Sequence, residues 1–258
     1  MNVVVATPPR RWQWGALREL VVTEFKQAWR APLGLGLGVL VPVIILVILG
    51  IAPALQKNVP STSTTYMTEY VPILIGLVLV LIALVSLPIP LVMLRERAFL
   101  RRLSTTPVAP RWLLTAQVLV NLVLALVAMV LIVGGGVLFF HVAAPGQLGG
   151  FILSALLATC ALFSLGLVIA ALAPNPGVAG VAGTVLLYPL LFFAGMWTPR
   201  ETMSDLMRTI SDYTPLGAAQ HAMLTSMQGT FPPTQSLVVM AAYAVVFGFL
   251  AVKLFRWE

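Results

Sequence analysis

Residues 95–111 read RERAFLRRLSTTPVAPR and lie between two apolar stretches that carry no charge for more than twenty residues each. The run holds five of the chain's fifteen Lys and Arg residues. The chemistry it offers is recognition, with no bond-making group in it. Phe99, Leu100 and Leu103 form an apolar ridge between Arg97 on one side and Arg101 and Arg102 on the other. Such a ridge seats in a groove of a partner as a small hot spot with charges at its rim. Thr106-Pro107 ends the helical part, because proline disfavours helical geometry at the residue before it. The same cations also suffice to fix membrane orientation and to bind anionic lipid, and both readings stand at this level.

Covalent chemistry is poorly supplied elsewhere. The chain has two histidines, His141 and His221, and one cysteine, Cys160, so it forms no internal disulfide. No G-x-x-x-x-G-K-[ST], H-E-x-x-H or G-x-S-x-G occurs. Ser86 and Ser164 have no His or Asp within their apolar runs to act as a base. No catalytic, cofactor-binding or metal-ligating set is expected. No Lys, Arg, Asp or Glu falls near the middle of an apolar run, which disfavours a carrier coupled to protons or ions. If the protein moves anything uphill, the energy must come from another chain.

The elements that position these residues follow from composition. The chain is 60% hydrophobic and 9% charged, with a mean hydropathy of +1.01. A soluble domain carries about 25% charged residues. The expected fold is all-α and polytopic, with six spans near 33–54, 71–94, 112–140, 149–173, 178–198 and 236–254. Each approaches the ~20 apolar residues that a helix needs to cross a bilayer, and none alternates as barrel strands do. Arg10, Arg11, Arg18, Lys26, Arg30, the five arginines of 95–111, Lys253 and Arg256 fall on one side if the spans alternate; Lys57, Arg200 and Arg208 fall on the other. That bias places both termini in the cytoplasm. The net charge of +7 sits in clusters at span ends with no broad basic face, so nucleic acid is not an expected partner. No cleavable signal is visible, and the chain is expected to begin near Met1.

Residues 10–31 read as a helix lying on the membrane surface. Leu17, Leu20, Val21, Phe25 and Ala28 share one face, opposite Arg18, Lys26 and Arg30. Glu24 falls within the apolar stripe, either at its wet edge or paired with an arginine of 95–111 or with a partner protein. On the outer side, Thr198, Pro199 and Glu201 suggest a capping box, followed by Met203, Leu206, Met207 and Ile210 at helical spacing. A second short helix is expected from Thr214-Pro215 to Gly229, the pair forming an outer cap or a re-entrant hairpin. Gln117 and Asn121 share a face of the third span and suit helix–helix hydrogen bonding or, alternatively, substrate contact. Pro42, Pro88 and Pro90 favour kinks in the first two spans.

Residues 95–111 resemble the loop after the second span of ABC-2-type exporter permeases, the membrane subunits of bacterial drug and polysaccharide exporters. Glu96, Arg97, Leu100, Leu103, Thr106, Pro107 and Val108 match, while Ala98 and Phe99 stand where Gly and Thr are common. Residues 192–224, FFAGMWTPRETMSDLMRTISDYTPLGAAQHAML, are similar to the end of that family's fifth span, including the final Thr214, Pro215 and Leu216. The resemblance implies a transporter of two permease subunits, identical or related, and two P-loop ATPase subunits that hold ATP and Mg, in a bacterial inner membrane. It implies that Glu24, Glu96, Arg97, Phe99, Leu100, Arg101, Arg102, Leu103, Thr106 and Pro107 couple the chain to the ATPase. It also implies a cargo path along the second and fifth spans, where Phe192, Phe193, Met196 and Trp197 are candidate contacts; Trp197 also suits an interfacial anchor. The expected activity is export of an amphipathic drug, antibiotic or lipid-like molecule. The alternatives are export of a lipid-linked glycan, an ion-coupled carrier or channel working alone, and a membrane scaffold.

Overall fold

The computed structural model describes residues 18–19, 21–23, 25–26, 36–53, 55–57, 65–96, 110–198 and 200–254. Their regular structure is helical, and the chain is an all-α polytopic membrane protein. Five helical segments are long and apolar enough to cross a bilayer: Tyr66–Arg95, Leu114–Phe140, Leu148–Leu172, Pro176–Phe193 and Thr234–Leu254. We number the α-helices α1 (Val41–Gly50), α2 (Tyr66–Leu81), α3 (Pro88–Glu96), α4 (Pro110–Phe140), α5 (Leu148–Leu172), α6 (Pro176–Phe193), α7 (Asp205–Tyr213), α8 (Pro215–Met227) and α9 (Thr234–Leu254). The first apolar helix, Gly38–Gly50, is shorter than these five. It stops at Gly50, which lies under the ring of Phe140, so that a Cβ there would overlap the ring.

The second span is the centre of the bundle. Every residue from Val71 to Val80 is buried. Its helix is not continuous: α2 passes through a π-helical turn, Ile82–Ser86, before α3 begins at Pro88. Pro88 has no N–H to give the Leu84 carbonyl, and the Leu87 N–H donates to Ile82 O at 2.9 Å, bypassing Ala83. Two neighbouring carbonyls thus lose their α-helical donors in the apolar interior. Both are met by glycines. A Cβ on Gly166 of α5 would overlap the Ala83 oxygen, and one on Gly183 of α6 would overlap the Leu84 oxygen. Close approach of glycine Cα–H groups to carbonyl oxygens compensates in part for the missing N–H bonds.

The first span repeats the device. A π-helical turn at Gly36–Leu40 precedes Pro42, and Gly38 rests on Ile82, where an added Cβ would come within 2.9 Å of Ile82 Cγ1. Pro42 and Pro88 thus each follow a π-helical turn, and the two turns meet where Gly38 rests on Ile82.

α5 presents small residues (Ala155, Ala158, Ala161 and Gly166) to its neighbours, all buried, as suits close helix packing in a membrane. Its hydroxyls are satisfied within the helix: Ser154 donates to Gly150 O at 2.8 Å and Thr159 to Ala155 O at 2.7 Å. The outer faces of α6 and α9 expose Val181, Val185, Val245, Phe249 and Val252, the surface a lipid chain covers. In α4, the Asn121 amide turns back onto Gln117 O of the same helix at 2.9 Å, so this contact is intrahelical where a bond between helices was expected.

Gly166→Ala and Gly183→Ala should each destabilise the protein by about 1–3 kcal/mol through overpacking against a carbonyl. Gly248→Ala, where nothing lies within 4 Å, should be neutral or slightly stabilising. Thermal unfolding of the three variants in one detergent checks the order.

Candidate functional site

Two polar sites lie at opposite ends of the bundle. At the proximal end, α3 finishes at Glu96. Arg95 reaches the C-terminus of α5: Nη1 donates to Ala171 O at 2.9 Å and to Ala170 O at 3.3 Å, and Nη2 donates to Ala173 O. The last carbonyls of a helix lack intrahelical donors and carry the negative end of its dipole. A guanidinium with several N–H groups in one plane matches that set. Directly beyond, Asn175 caps α6 by accepting from Val178 N at 2.9 Å, with Pro176 in the first turn. Arg95 was counted in the sequence only as a topogenic cation; the structure gives it a fastening role between the second and fourth spans. Of the expected coupling residues, Glu96 closes α3, and nothing is described of its side chain. Glu24, Arg97, Phe99, Leu100, Arg101, Arg102, Leu103, Thr106 and Pro107 lie outside the described residues.

At the distal end, α6 stops at Phe193, five residues before the predicted limit of 198. Gly195, at φ +89°, turns the chain, a conformation that glycine alone adopts without strain. The Phe192 and Phe193 rings meet edge to face at 5.4 Å between centroids. Both are half-buried, as is Met196, while Trp197 is exposed and lies 6.4 Å from Tyr188. The four candidate path residues are therefore brought to one end of one span.

The expected capping box is replaced by another start. Arg200–Thr202 form a 3₁₀ turn, and α7 begins after Ser204, whose Oγ accepts from Met207 N at 3.4 Å. Pro199 lies outside the described residues. The physical reason for the shift is an ion pair: Arg200 Nη2 lies 2.6 Å from Asp212 Oδ1 and donates to Oδ2 at 2.9 Å, which draws the segment onto the end of α7. Met203 is buried, but Leu206, Met207 and Ile210 face outward.

α8 starts where Thr214-Pro215 predicted, with Thr214 Oγ1 accepting from Gly217 N at 3.2 Å. It is buried along most of its length. Leu216 packs on Gly76, about three turns into α2. Leu224 and Gln228 lie beside Glu69 and Tyr70 in the first turns of α2. α8 thus climbs from the interior to the distal rim, the geometry of a re-entrant hairpin. Its end is tied to α5 by Gly146 N donating to Met227 O at 3.4 Å and Gln147 N to Ser226 O at 2.9 Å.

The climb brings His221 to the ion pair, its Nδ1 3.7 Å from Asp212 Oδ1. Burial first, then the Arg200 charge, lower its pKa below the ordinary 6.5, and the attraction of Asp212 only partly offsets them. Arg200 and His221 line a cavity of about 210 Å³, together with Glu69, Tyr70, Gln220 and Thr225. Sequence reasoning missed this site. Its members are far apart in the chain and each lies in or near an ordinary-looking loop; the one available signal was the concentration of Arg, Asp, His and Glu on the outer side of so apolar a chain.

The family model described as ABC-2 type transporter matches residues 15–228. No curated protein matches the chain.

Arg95→Ala should lower stability by about 1.5–3 kcal/mol, since carbonyls bonded to a charged donor lose it. Arg95→Lys should recover part of the loss; thermal unfolding reads both. For His221, a folded-state pKa below the unfolded value means that the unfolded chain binds the proton more readily. Its stability term is therefore intact above pH 6.5 and is lost as pH falls through the folded pKa. His221→Asn should flatten the decline of unfolding temperature below pH 6.5.

Proposed function

The chain belongs to the ABC-2 type transporter family, and on that premise we propose that it is the permease subunit of an ATP-driven exporter of amphipathic small molecules, working with separate ATPase subunits. The observation that carries this reading is the match over residues 15–228, which covers every span but the last, Thr234–Leu254, together with the outer hairpin. Gly38–Gly50 supplies the sixth span, and both termini and residues 95–111 face the cytoplasm. The distribution of Lys and Arg supports this orientation, because twelve of the fifteen cations in the sequence fall on that side when six spans alternate.

Two ATPase subunits engage the cytoplasmic segment, and two permease chains form the path between them. Phe99, Leu100 and Leu103 insert into the ATPase, with Arg97, Arg101 and Arg102 at the rim. Glu24 and Glu96 add acidic contacts nearby, and Thr106-Pro107 ends the docking helix. Arg95 passes displacement of this segment to the end of α5, to which its guanidinium is bonded. Phe192, Phe193, Met196 and Trp197 contact cargo: flat or flexible apolar groups accept varied amphiphiles without fixed hydrogen-bond geometry.

The overall reading is tested by reconstituting the chain with a co-expressed P-loop ATPase and following ethidium in inside-out vesicles. Accumulation that requires ATP and both proteins is expected, whereas flux driven by an ion gradient through the chain alone would overturn the reading. Leu100→Asp combined with Leu103→Asp should abolish ATPase co-purification while membrane insertion stays normal. Normal co-purification by that double variant would remove the docking role of the ridge.

A further inference from the structure

The outer hairpin carries an apolar edge that the bundle does not use. α7 meets the bundle along the side that bears Ser211, which is buried and whose Oγ donates to Phe193 O at 2.5 Å at the end of α6. The outward surface of the helix divides in two. Leu206, Ile210 and Tyr213, at i, i+4 and i+7, form one strip and are 71%, 41% and 59% exposed. Asp205 and Thr209, at i and i+4, form a second exposed strip, and it is polar. At about 100° per residue the two strips lie side by side, roughly a quarter of a turn apart. A polar edge beside an apolar edge is the pattern of a helix lying in the plane of a membrane interface.

Depth identifies what covers the apolar strip. α6 has 18 residues, a rise of about 27 Å, close to the ~30 Å of a hydrocarbon core. It begins just beyond the carbonyls that Arg95 holds, at the proximal end. Phe193 therefore lies near the distal limit of the hydrocarbon, and the Ser211 bond fixes the end of α7 at the same level. Tyr188 and Trp197 flank that level, both exposed and 6.4 Å apart between ring centroids. Aromatic side chains collect in this way where hydrocarbon meets head groups. A second copy of the chain fits the strip less well. Nine residues make a helix about 14 Å long and 10 Å across, so one edge of it falls far short of the ~800 Å² per partner in a stable interface.

We propose that α7 is an interfacial helix whose Leu206, Ile210 and Tyr213 edge is seated in the distal leaflet of the bilayer, against the upper acyl chains, with Asp205 and Thr209 at the head groups. Asp212, on the same helix, holds Arg200 at the wall of the distal cavity. The lipid seat therefore helps to set the position of that wall. The inference rests on the chain spanning a membrane and is independent of ATP-driven export; its test needs no ATPase, so either can fail alone.

The test uses the full chain with its exposed Cys160 replaced by alanine, in nanodiscs of phosphatidylethanolamine and phosphatidylglycerol. Asp205→Cys, Leu206→Cys, Thr209→Cys and Ile210→Cys each carry one nitroxide. Power-saturation EPR compares collisions with oxygen, which enters hydrocarbon, and with a water-soluble nickel chelate. At positions 206 and 210 oxygen should exceed the chelate several-fold, and at positions 205 and 209 the order should reverse. The chelate ahead at 206 and 210 would place the strip in water and overturn the proposal. Oxygen ahead at all four would sink the whole helix in hydrocarbon and overturn it too. Low access of both reagents at 206 and 210 would mean that protein covers the strip, with spin–spin broadening marking a second copy, and this also would overturn it. All four positions are exposed, so the labels displace no packed side chain, and gel-filtration profiles of the labelled chains check that the fold is retained.

Discussion

A carbonyl without a donor inside a bilayer has few remedies, and the bundle is organised around two of them. The α-helix survives in lipid because it satisfies its own backbone. Pro88 and the π-helical turn before it break that rule for Ala83 and Leu84 in the most buried of the described membrane-crossing segments. The oxygens cannot be left to lipid, so the span must be covered on that side by helices that approach closely enough to touch them. Gly166 and Gly183 permit this, one from α5 and one from α6. The position of the second span at the centre, flanked by the fourth and fifth, follows from this need. The exposed apolar faces of α6 and α9 carry no such requirement and are left to the membrane.

The same span carries the connections to both polar ends. Below the break, Arg95 of α3 is bonded to the end of α5. Above it, Gly76 of α2 receives Leu216 of α8. α5 closes the circuit, because its distal start is hydrogen-bonded to the end of α8 through Gly146 and Gln147. One helix is therefore held at its proximal end by a guanidinium and at its distal end by the hairpin that bears the cavity. These are contacts, and by themselves they establish adjacency; coupling requires that one of them have two arrangements. The π-helical turn is a point on this path where a ladder bond is already missing, since Pro88 has no N–H for the Leu84 carbonyl.

What could be read in the sequence was whatever depended on one segment at a time. Long apolar runs specified helices, and Thr214-Pro215 specified the start of α8, because cap and proline lie within one turn of each other. The ends that were misplaced depended on residues outside the segment. α6 stops at Phe193, ahead of the turn at Gly195, and α7 is capped by Ser204 where Thr198 was expected, since Arg200 is taken up by Asp212, twelve positions on. The Arg95 clasp pairs residues more than seventy positions apart, and no local pattern announces it. The distal cluster escaped for the same reason: Glu69, Arg200, Asp212 and His221 share no periodicity and meet only because α8 re-enters the bundle.

The apolar middle and the polar ends belong to one physical argument. No Asp, Glu, Lys or Arg lies in the middle of a described span, and on the proposed ATP-driven reading work enters as displacement of helices. Displacement is transmitted best by elements that are stiff along their length and bonded at their ends, which describes α5. It is converted into a change of shape where a helix is already weak, which describes the turn at Ile82–Ser86. The glycine contacts that satisfy Ala83 and Leu84 are short-ranged and give little resistance to sliding compared with N–H bonds. A proline placed to break the central helix, and glycines placed to cover the break, are thus consistent with a span that holds its backbone satisfied while remaining able to bend.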